Sequence, residues 1–166
     1  MSINIEYLER FTLSINSLTP LERKSIVALA SVYGLRMFGL FLILPVLAIY
    51  SEQLNGASPM LMGIALGVYG ITQALFQIPF GLLSDRFGRK PMIIIGLLIF
   101  AVGSLVAANS STISGVIIGR ALQGAGAIAA VVLALTSDLT RENQRTKAMA
   151  TIGMTIGASF LSLIHI

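Results

Sequence analysis

The 166-residue chain has no cysteine, no tryptophan and a single histidine, and only 11% of its residues are charged. Without cysteine there is no disulfide, thiolate metal site or cysteine nucleophile. One histidine, at position 165, leaves neither a histidine metal cluster nor a Ser-His-Asp triad. No nucleophile–base pair and no metal-ligand set remain, so neither an enzyme nor a bound metal or cofactor is expected. A soluble domain carries about 25% charged residues, and less than half that level does not suit a water-facing surface. What the chain has in their place is apolar length. Hydrophobic residues make up 55%, and the mean hydropathy is +0.89. These are the marks of a protein whose partner is the lipid bilayer.

A helix needs about 20 mostly apolar residues to cross the hydrocarbon core. Residues 53–84 form 32 consecutive positions without a formal charge, 91–119 form 29 and 121–137 form 17. Five helical spans are expected, at 26–50, 60–83, 91–108, 113–136 and 146–164. Turn chemistry separates them: Asn55-Gly56-Ala57-Ser58-Pro59, then 84–91, then Asn109-Ser110-Ser111, then 138–145. No stretch alternates polar and apolar at every second residue, so a β-barrel is not expected. Thr19-Pro20-Leu21-Glu22 reads as a helix start, with a threonine cap, proline in the first turn and glutamate three residues after the cap. Residues 1–24 hold Glu6, Glu9 and Glu22 and lack a basic leader and a cleavage site, so they read as a cytoplasmic lead-in and not a signal peptide.

The 11 basic residues set the orientation. Arg10, Arg23 and Lys24 precede the first span; Arg86, Arg89 and Lys90 lie between the second and third; Arg141, Arg145 and Lys147 lie between the fourth and fifth. The other two loops hold none. By the positive-inside rule, the amino terminus and the 84–91 and 138–147 loops are expected in the cytoplasm. This placement also excludes a nucleic-acid patch, which the net charge of +4 alone would have allowed.

One loop carries recognisable chemistry. Residues 81–91 read G-L-L-S-D-R-F-G-R-K-P. Gly81 leaves room for close approach, Gly88 permits a tight turn, and the planar fork of Arg89 suits a carboxylate. Asp85 can accept from backbone N–H groups at a helix amino terminus. Asp138, at the far end of span four, is the carboxylate that would meet Arg89. The pattern G-x-x-x-D-R-x-G-R-K resembles the signature loop between helices two and three of the major facilitator superfamily. L-R-M-F-G-L-F near residue 35, Y-G-I-T-Q-A-L-F-Q-I-P-F-G near 69, G-R-A-L-Q-G-A-G-A-I-A-A at 119 and S-D-L-T-R-E-N at 137 extend the likeness over residues 20–158. Within the family the chain is similar to proton-driven drug exporters of the bacterial inner membrane. The resemblance implies that Gly81, Asp85, Arg86, Gly88, Arg89, Lys90 and Asp138 form a cytoplasmic latch that breaks as the transporter opens inward. The alternative is a solvated basic loop whose ion pairs contribute roughly 0–1 kcal/mol each.

Two arginines fall inside spans, where a charge costs at least ~2.5–3.5 kcal/mol. Arg36, in span one, is expected to face the interior and meet an anionic group, or else to reach towards the headgroups. Arg120, Gln123 and Gly124 in span four form R-x-x-Q-G-x-G. This resembles the family's second motif, whose arginine is tied to proton binding. A polar cavity and a snorkelling side chain are the two readings of Arg120. Gln73 and Gln77 share a face of span two and either line the path or bond helix to helix. Pro45 and Pro79 interrupt spans one and two. Gly63/Gly67, Gly115/Gly119 and Gly153/Gly157 read as packing notches, with dimerisation as the alternative. Residues 124–129 also fit the dinucleotide pattern G-x-G-x-x-A, but they lie in an apolar helix, and the match is accidental.

The expected fold is therefore an all-α integral membrane protein: five helices of the six-helix amino-terminal half, built from inverted three-helix repeats. The organisation is a lead-in at 1–24, the transporter half at 25–160 and a tail at 161–166 that departs from the family pattern. The resemblance implies alternating access for small organic solutes, driven by a proton gradient, with spans one, two, four and five lining the path. It also implies a carboxy-terminal half that this chain lacks. No Asp or Glu lies within a span, so no proton carrier is visible. A uniporter, or a scaffold or receptor that retains the fold, is the alternative.

Overall fold

The computed structural model describes residues 18–50 and 54–164, so most of the lead-in, Glu52 and His165 lie outside the described residues. Six α-helices are present among the described residues: α1 Pro20–Tyr50, α2 Pro59–Phe87, α3 Arg89–Ala108, α4 Ile113–Ala125, α5 Ala129–Asp138 and α6 Arg145–Ile164. A 3-10 turn, Glu142–Gln144, leads into α6. Four stretches are long and apolar enough to cross a bilayer: Pro20–Leu47, Pro59–Phe87, Arg89–Ala108 and Ile113–Asp138. The expected fifth span coincides with the 20-residue α6.

Local chemistry sets the helix ends. Thr19 and Glu22 form a reciprocal capping box: the Glu22 N–H donates to Thr19 Oγ1 at 3.2 Å, and the Thr19 N–H donates to Glu22 Oε2 at 2.7 Å. Ser58 caps α2 by accepting from the Leu61 N–H, with Pro59 in the first turn. Thr112 caps α4 by accepting from the Gly115 N–H. The loop expected at 84–91 shrinks to Gly88, whose φ of +96° is a conformation that side chains rarely adopt. Both α1 and α2 run on through their internal prolines.

The chain divides into two compact units. Described residues up to Phe38 and from Leu135 form the first, and Gly39–Ala134 form the second. In the first, Gly34 of α1 meets α6. A Cβ there would lie 3.3 Å from that of Thr155, and the Ser159 hydroxyl donates to the Gly34 carbonyl at 3.0 Å.

In the second unit α4 packs against both α2 and α3. Leu47, Ala65, Ile113 and Val116 form a buried cluster beside this contact. Glycine sets how closely the helices approach. A Cβ on Gly103 would lie 2.6 Å from the Gln123 nitrogen and 2.7 Å from the Gly119 oxygen. One on Gly126 would collide with the Gly96 carbonyl, and one on Gly124 with the Tyr69 carbonyl and the Thr72 hydroxyl. Gly96 and Gly103 on α3, and Gly119 and Gly126 on the α4 strip, each stand two helical turns apart, so the antiparallel seam is cut twice. The expected notches are partly corrected. A Cβ added to Gly63, Gly67, Gly153 or Gly157 would meet nothing within 4 Å, whereas Gly119 does have close neighbours and Gly115 lies against Ser110.

The α1–α2 and α3–α4 loops are joined by main-chain bonds. The Asn55 N–H donates to the Ser111 carbonyl at 3.0 Å, and the Ile113 N–H donates to the Asn55 carbonyl at 3.2 Å.

Candidate functional site

Arg120 is the centre of a buried polar network in the second unit. It lies roughly 10 Å along α4 from the first residue, at 1.5 Å per residue. Its Nε donates to the Ala65 carbonyl at 3.3 Å, and its Nη1 donates to Gln123 Oε1 at 2.7 Å. The guanidinium carbon stands 4.8 Å from the centre of the Tyr69 ring. Gln123 Nε2 in turn donates to Ser104 Oγ at 2.8 Å, and that hydroxyl donates to the Phe100 carbonyl at 2.9 Å. Three helices thus supply the network, and the glycines explain how. Gly124 admits the backbone of α2 and brings Tyr69 against Arg120; Gly103 admits α4 and lets Ser104 reach Gln123.

Arg120 is only 3% exposed, so it is turned inward and does not snorkel. Among the described residues it has no carboxylate partner; a carbonyl, an amide oxygen and an aromatic face take that place. A desolvated cation–π contact is worth about 2 kcal/mol, comparable to the cost of placing the charge in a span. A cavity of about 710 Å³ opens beside Ser104 and Gln123, with Leu42, Ile43, Leu47 and Phe100 among its apolar walls. Its size is that of a pocket for a drug-sized molecule.

Immediately after this network the expected fourth span breaks. The Ala127 N–H donates to Ala125 and the Ile128 N–H to Gly126, both at 2.9 Å, in place of the i−4 carbonyls. The carbonyls of Gln123 and Gly124 lose their usual donors. The single helix expected at 113–136 is therefore two, α4 and α5. Such breaks in a membrane span occur where the backbone is enclosed by protein or lines a cavity. Residues 126–129 are all buried.

The charged motif closes α2. Arg89 pairs with Asp85 at 2.6 Å, one turn earlier, and its Nη1 also donates to Ser84 Oγ at 2.6 Å. Ser84 is 1% exposed and donates to the Gly81 carbonyl. Asp85 and Arg89 keep 59% and 24% of their side-chain surface open, so this i,i+4 pair contributes only ~0.3–0.5 kcal/mol. Arg86 and Lys90 are exposed, Arg86 stacking at 5.7 Å over Phe87. Gly81 has room to spare: a Cβ there would meet only Ala130, at 4.0 Å. Asp138 ends α5, is exposed, and belongs to the first unit, whereas the rest of the motif belongs to the second.

Arg36 is buried, 3% exposed, in the first unit. Gln73 and Gln77 are half-buried, and Gln73 Oε1 is enclosed with no hydrogen-bond partner among the described residues. Sequence reasoning missed Tyr69, Ser104 and Ser84. Tyr69 precedes Gln73 by one turn, a shared face that could have drawn attention to it. Ser104 follows Gly103, and a hydroxyl beside a glycine in an apolar run is a faint mark of helix contact. It also missed a second ion pair, in the first unit: Arg141 Nε donates to Glu22 Oε1 at 3.0 Å. That contact raises the Arg141 guanidinium further above its ordinary range.

The family description Major Facilitator Superfamily matches residues 29–164, which include the Arg120 network and the α2 motif. The chain belongs to the major facilitator superfamily. Among curated major facilitator proteins, it is 62% identical over 143 residues to the inner membrane transport protein YajR of Escherichia coli K12, covering 86% of this chain and 32% of YajR. An uncharacterized transporter of Buchnera aphidicola from Schizaphis graminum is 54% identical over 130 residues, covering 78% of this chain and 33% of the relative. The class H tetracycline resistance protein of Pasteurella multocida is 32% identical over 141 residues, covering 83% and 35%. The chain spans about a third of the length of these curated relatives. The family and these relatives are transporters, not enzymes, and this chain is an all-α membrane member of the family.

Proposed function

We propose that the chain is the amino-terminal part of an alternating-access transporter that exports small organic solutes in exchange for protons across the bacterial inner membrane. The reading rests on the buried Arg120 network: a fixed positive charge, held by α2 and α4 with no acid beside it among the described residues, next to a break in a span. A static membrane anchor has no use for such a charge. The basic residues of the 84–91 and 138–147 loops favour a cytoplasmic amino terminus. The name of the Pasteurella relative points to a drug as cargo, and that of YajR to the inner membrane. The proton gradient would be the energy source, and a second half would complete the path. Asp85, Arg86, Arg89 and Lys90, with Gly81, Gly88 and Asp138, would form the gate. The Asp85–Arg89 pair is weak enough to be exchanged for other partners as the ends of the helices move.

Everted membrane vesicles carrying the complete protein test this directly. Addition of tetracycline as first probe should dissipate an imposed pH gradient. A uniporter is the second reading, favoured because the acids of the four spans, Glu22, Asp85 and Asp138, all lie within three residues of a span end; it would move solute and leave the gradient untouched. Asp85→Asn should reduce flux about tenfold while the protein still inserts, because the gate loses the carboxylate that exchanges partners as the helix ends move. Unchanged flux in that variant would remove the gate.

A further inference from the structure

The Glu22–Arg141 contact joins residues 119 positions apart and lies outside both the Arg120 network and the α2 motif. Glu22 is 6% exposed, an acid enclosed at the very start of α1. Its carboxylate does two things with both oxygens. Oε2 accepts from the Thr19 N–H at 2.7 Å, from Thr19 Oγ1 at 3.0 Å and from Arg141 Nη2 at 3.1 Å. Oε1 accepts from Arg141 Nε and from the Arg141 backbone N–H, each at 3.0 Å. The first set closes the capping box of α1. The second fixes a loop residue by both its fork and its main chain.

Arg141 is itself the residue that leads into the 3-10 turn, and its carbonyl accepts from the Gln144 N–H at 2.9 Å. From Arg145 the chain continues as α6. One carboxylate therefore terminates α1 and orders the turn that starts α6. Further along α1, the Ser159–Gly34 hydrogen bond joins this helix to α6 itself. Glu22 and Gly34 are about 18 Å apart along α1, at 1.5 Å per residue. Two ties at that separation resist both splaying and sliding; one tie resists neither.

We propose that Glu22 and Arg141 form a two-sided brace that couples the first turn of α1 to the α5–α6 turn, so that neither end can loosen alone. If Arg141 leaves, the capping carboxylate loses the partner that fixes its rotamer, and the first turn of α1 frays. If Glu22 is lost, the Arg141 N–H loses its acceptor and the 3-10 turn opens. The coupling makes the beginnings of α1 and α6 a single mechanical element. Its use in rocking rests on the transporter reading above, but the coupling itself does not.

Amide hydrogen exchange in the purified complete protein tests the coupling by changing one side and reading the other. Arg141→Gln should speed exchange of the Thr19 and Glu22 amides about tenfold, the loss expected for one charge-assisted hydrogen bond. Glu22→Ala should speed exchange at residues 141–144 by a similar factor. Arg141→Lys keeps the charge without the planar fork, and should give a smaller increase. If exchange on the far side is unchanged in both Arg141→Gln and Glu22→Ala, the brace is overturned. Arg141→Lys, the milder change, settles the question in the same way if either of the others fails to fold. None of these readouts depends on flux, so a failed transport assay would leave them standing.

Discussion

Arg120→Leu is expected to reduce transport roughly 100-fold, about 2.7 kcal/mol in the barrier, while leaving the fold as stable as before or more so. The two halves of this expectation have separate causes. Transport falls because the fixed charge is lost where span four breaks. Stability holds because a buried charge is costly to desolvate, and an apolar side chain of similar size often replaces it without loss. The neighbours tolerate the exchange unevenly. Gln123 keeps its bond to Ser104 and the Tyr69 ring accepts an apolar neighbour, while Gln123 Oε1 and the Ala65 carbonyl each lose the arginine donor, a loss offset by the charge that no longer has to be desolvated. Flux in vesicles and thermal unfolding in the same lipid would read both quantities. Arg120→Lys should not restore flux, because an ammonium cannot bond Ala65 and Gln123 while presenting a planar face to Tyr69. Full flux in Arg120→Leu would mean that the arginine serves packing alone.

A pair of alanine substitutions is expected to move stability in opposite directions. Gly103→Ala puts a methyl 2.6 Å from the Gln123 nitrogen and 2.7 Å from the Gly119 oxygen. Both are backbone atoms and cannot swing aside, so α3 and α4 must part. Overpacking of this kind costs about 1–3 kcal/mol. Gly67→Ala, also inside a helix, meets nothing within 4 Å and should gain about 0.5–1 kcal/mol from the better helix former. Thermal unfolding of the two variants against the parent decides the matter. Equal shifts of the same sign would show that helix propensity, not the seam, governs this part of the fold. Gly103→Ala should also weaken flux, since parting the helices pulls Ser104 away from Gln123.

What could be read in advance was whatever depends on near neighbours in the chain. The capping box at Thr19 and Glu22, the break between spans at 55–59 and the turn at Gly88 each lie within five residues, and the structure contains all three. Hydropathy found the apolar stretches because it sums over a whole span. It missed the break after Ala125 for the same reason: Gly126, Ala127 and Ile128 are as apolar as their neighbours, and a window average does not register a changed hydrogen bond. The i,i+4 glycine rule picked Gly63 and Gly67, which face open space, and passed over Gly96 and Gly103, whose spacing of two turns suits an antiparallel seam. Arg120 could be singled out by the cost of its charge, but its ring partner could not, because no local pattern tells which face of α2 will meet α4. Glu22 had already been explained by its cap, so its second role was hidden behind the first.

The tie between the two loops near Asn55 is made by peptide groups alone. Side chains at 55 and 111 are exposed and take no part in the two bonds that hold the strands of chain together. Such a junction places little demand on the side chains at 55 and 111, so these two positions can change, altering what the surroundings encounter, without undoing the join. Proline is the exception: at 55 or 113 it would remove the N–H on which one of the two bonds depends.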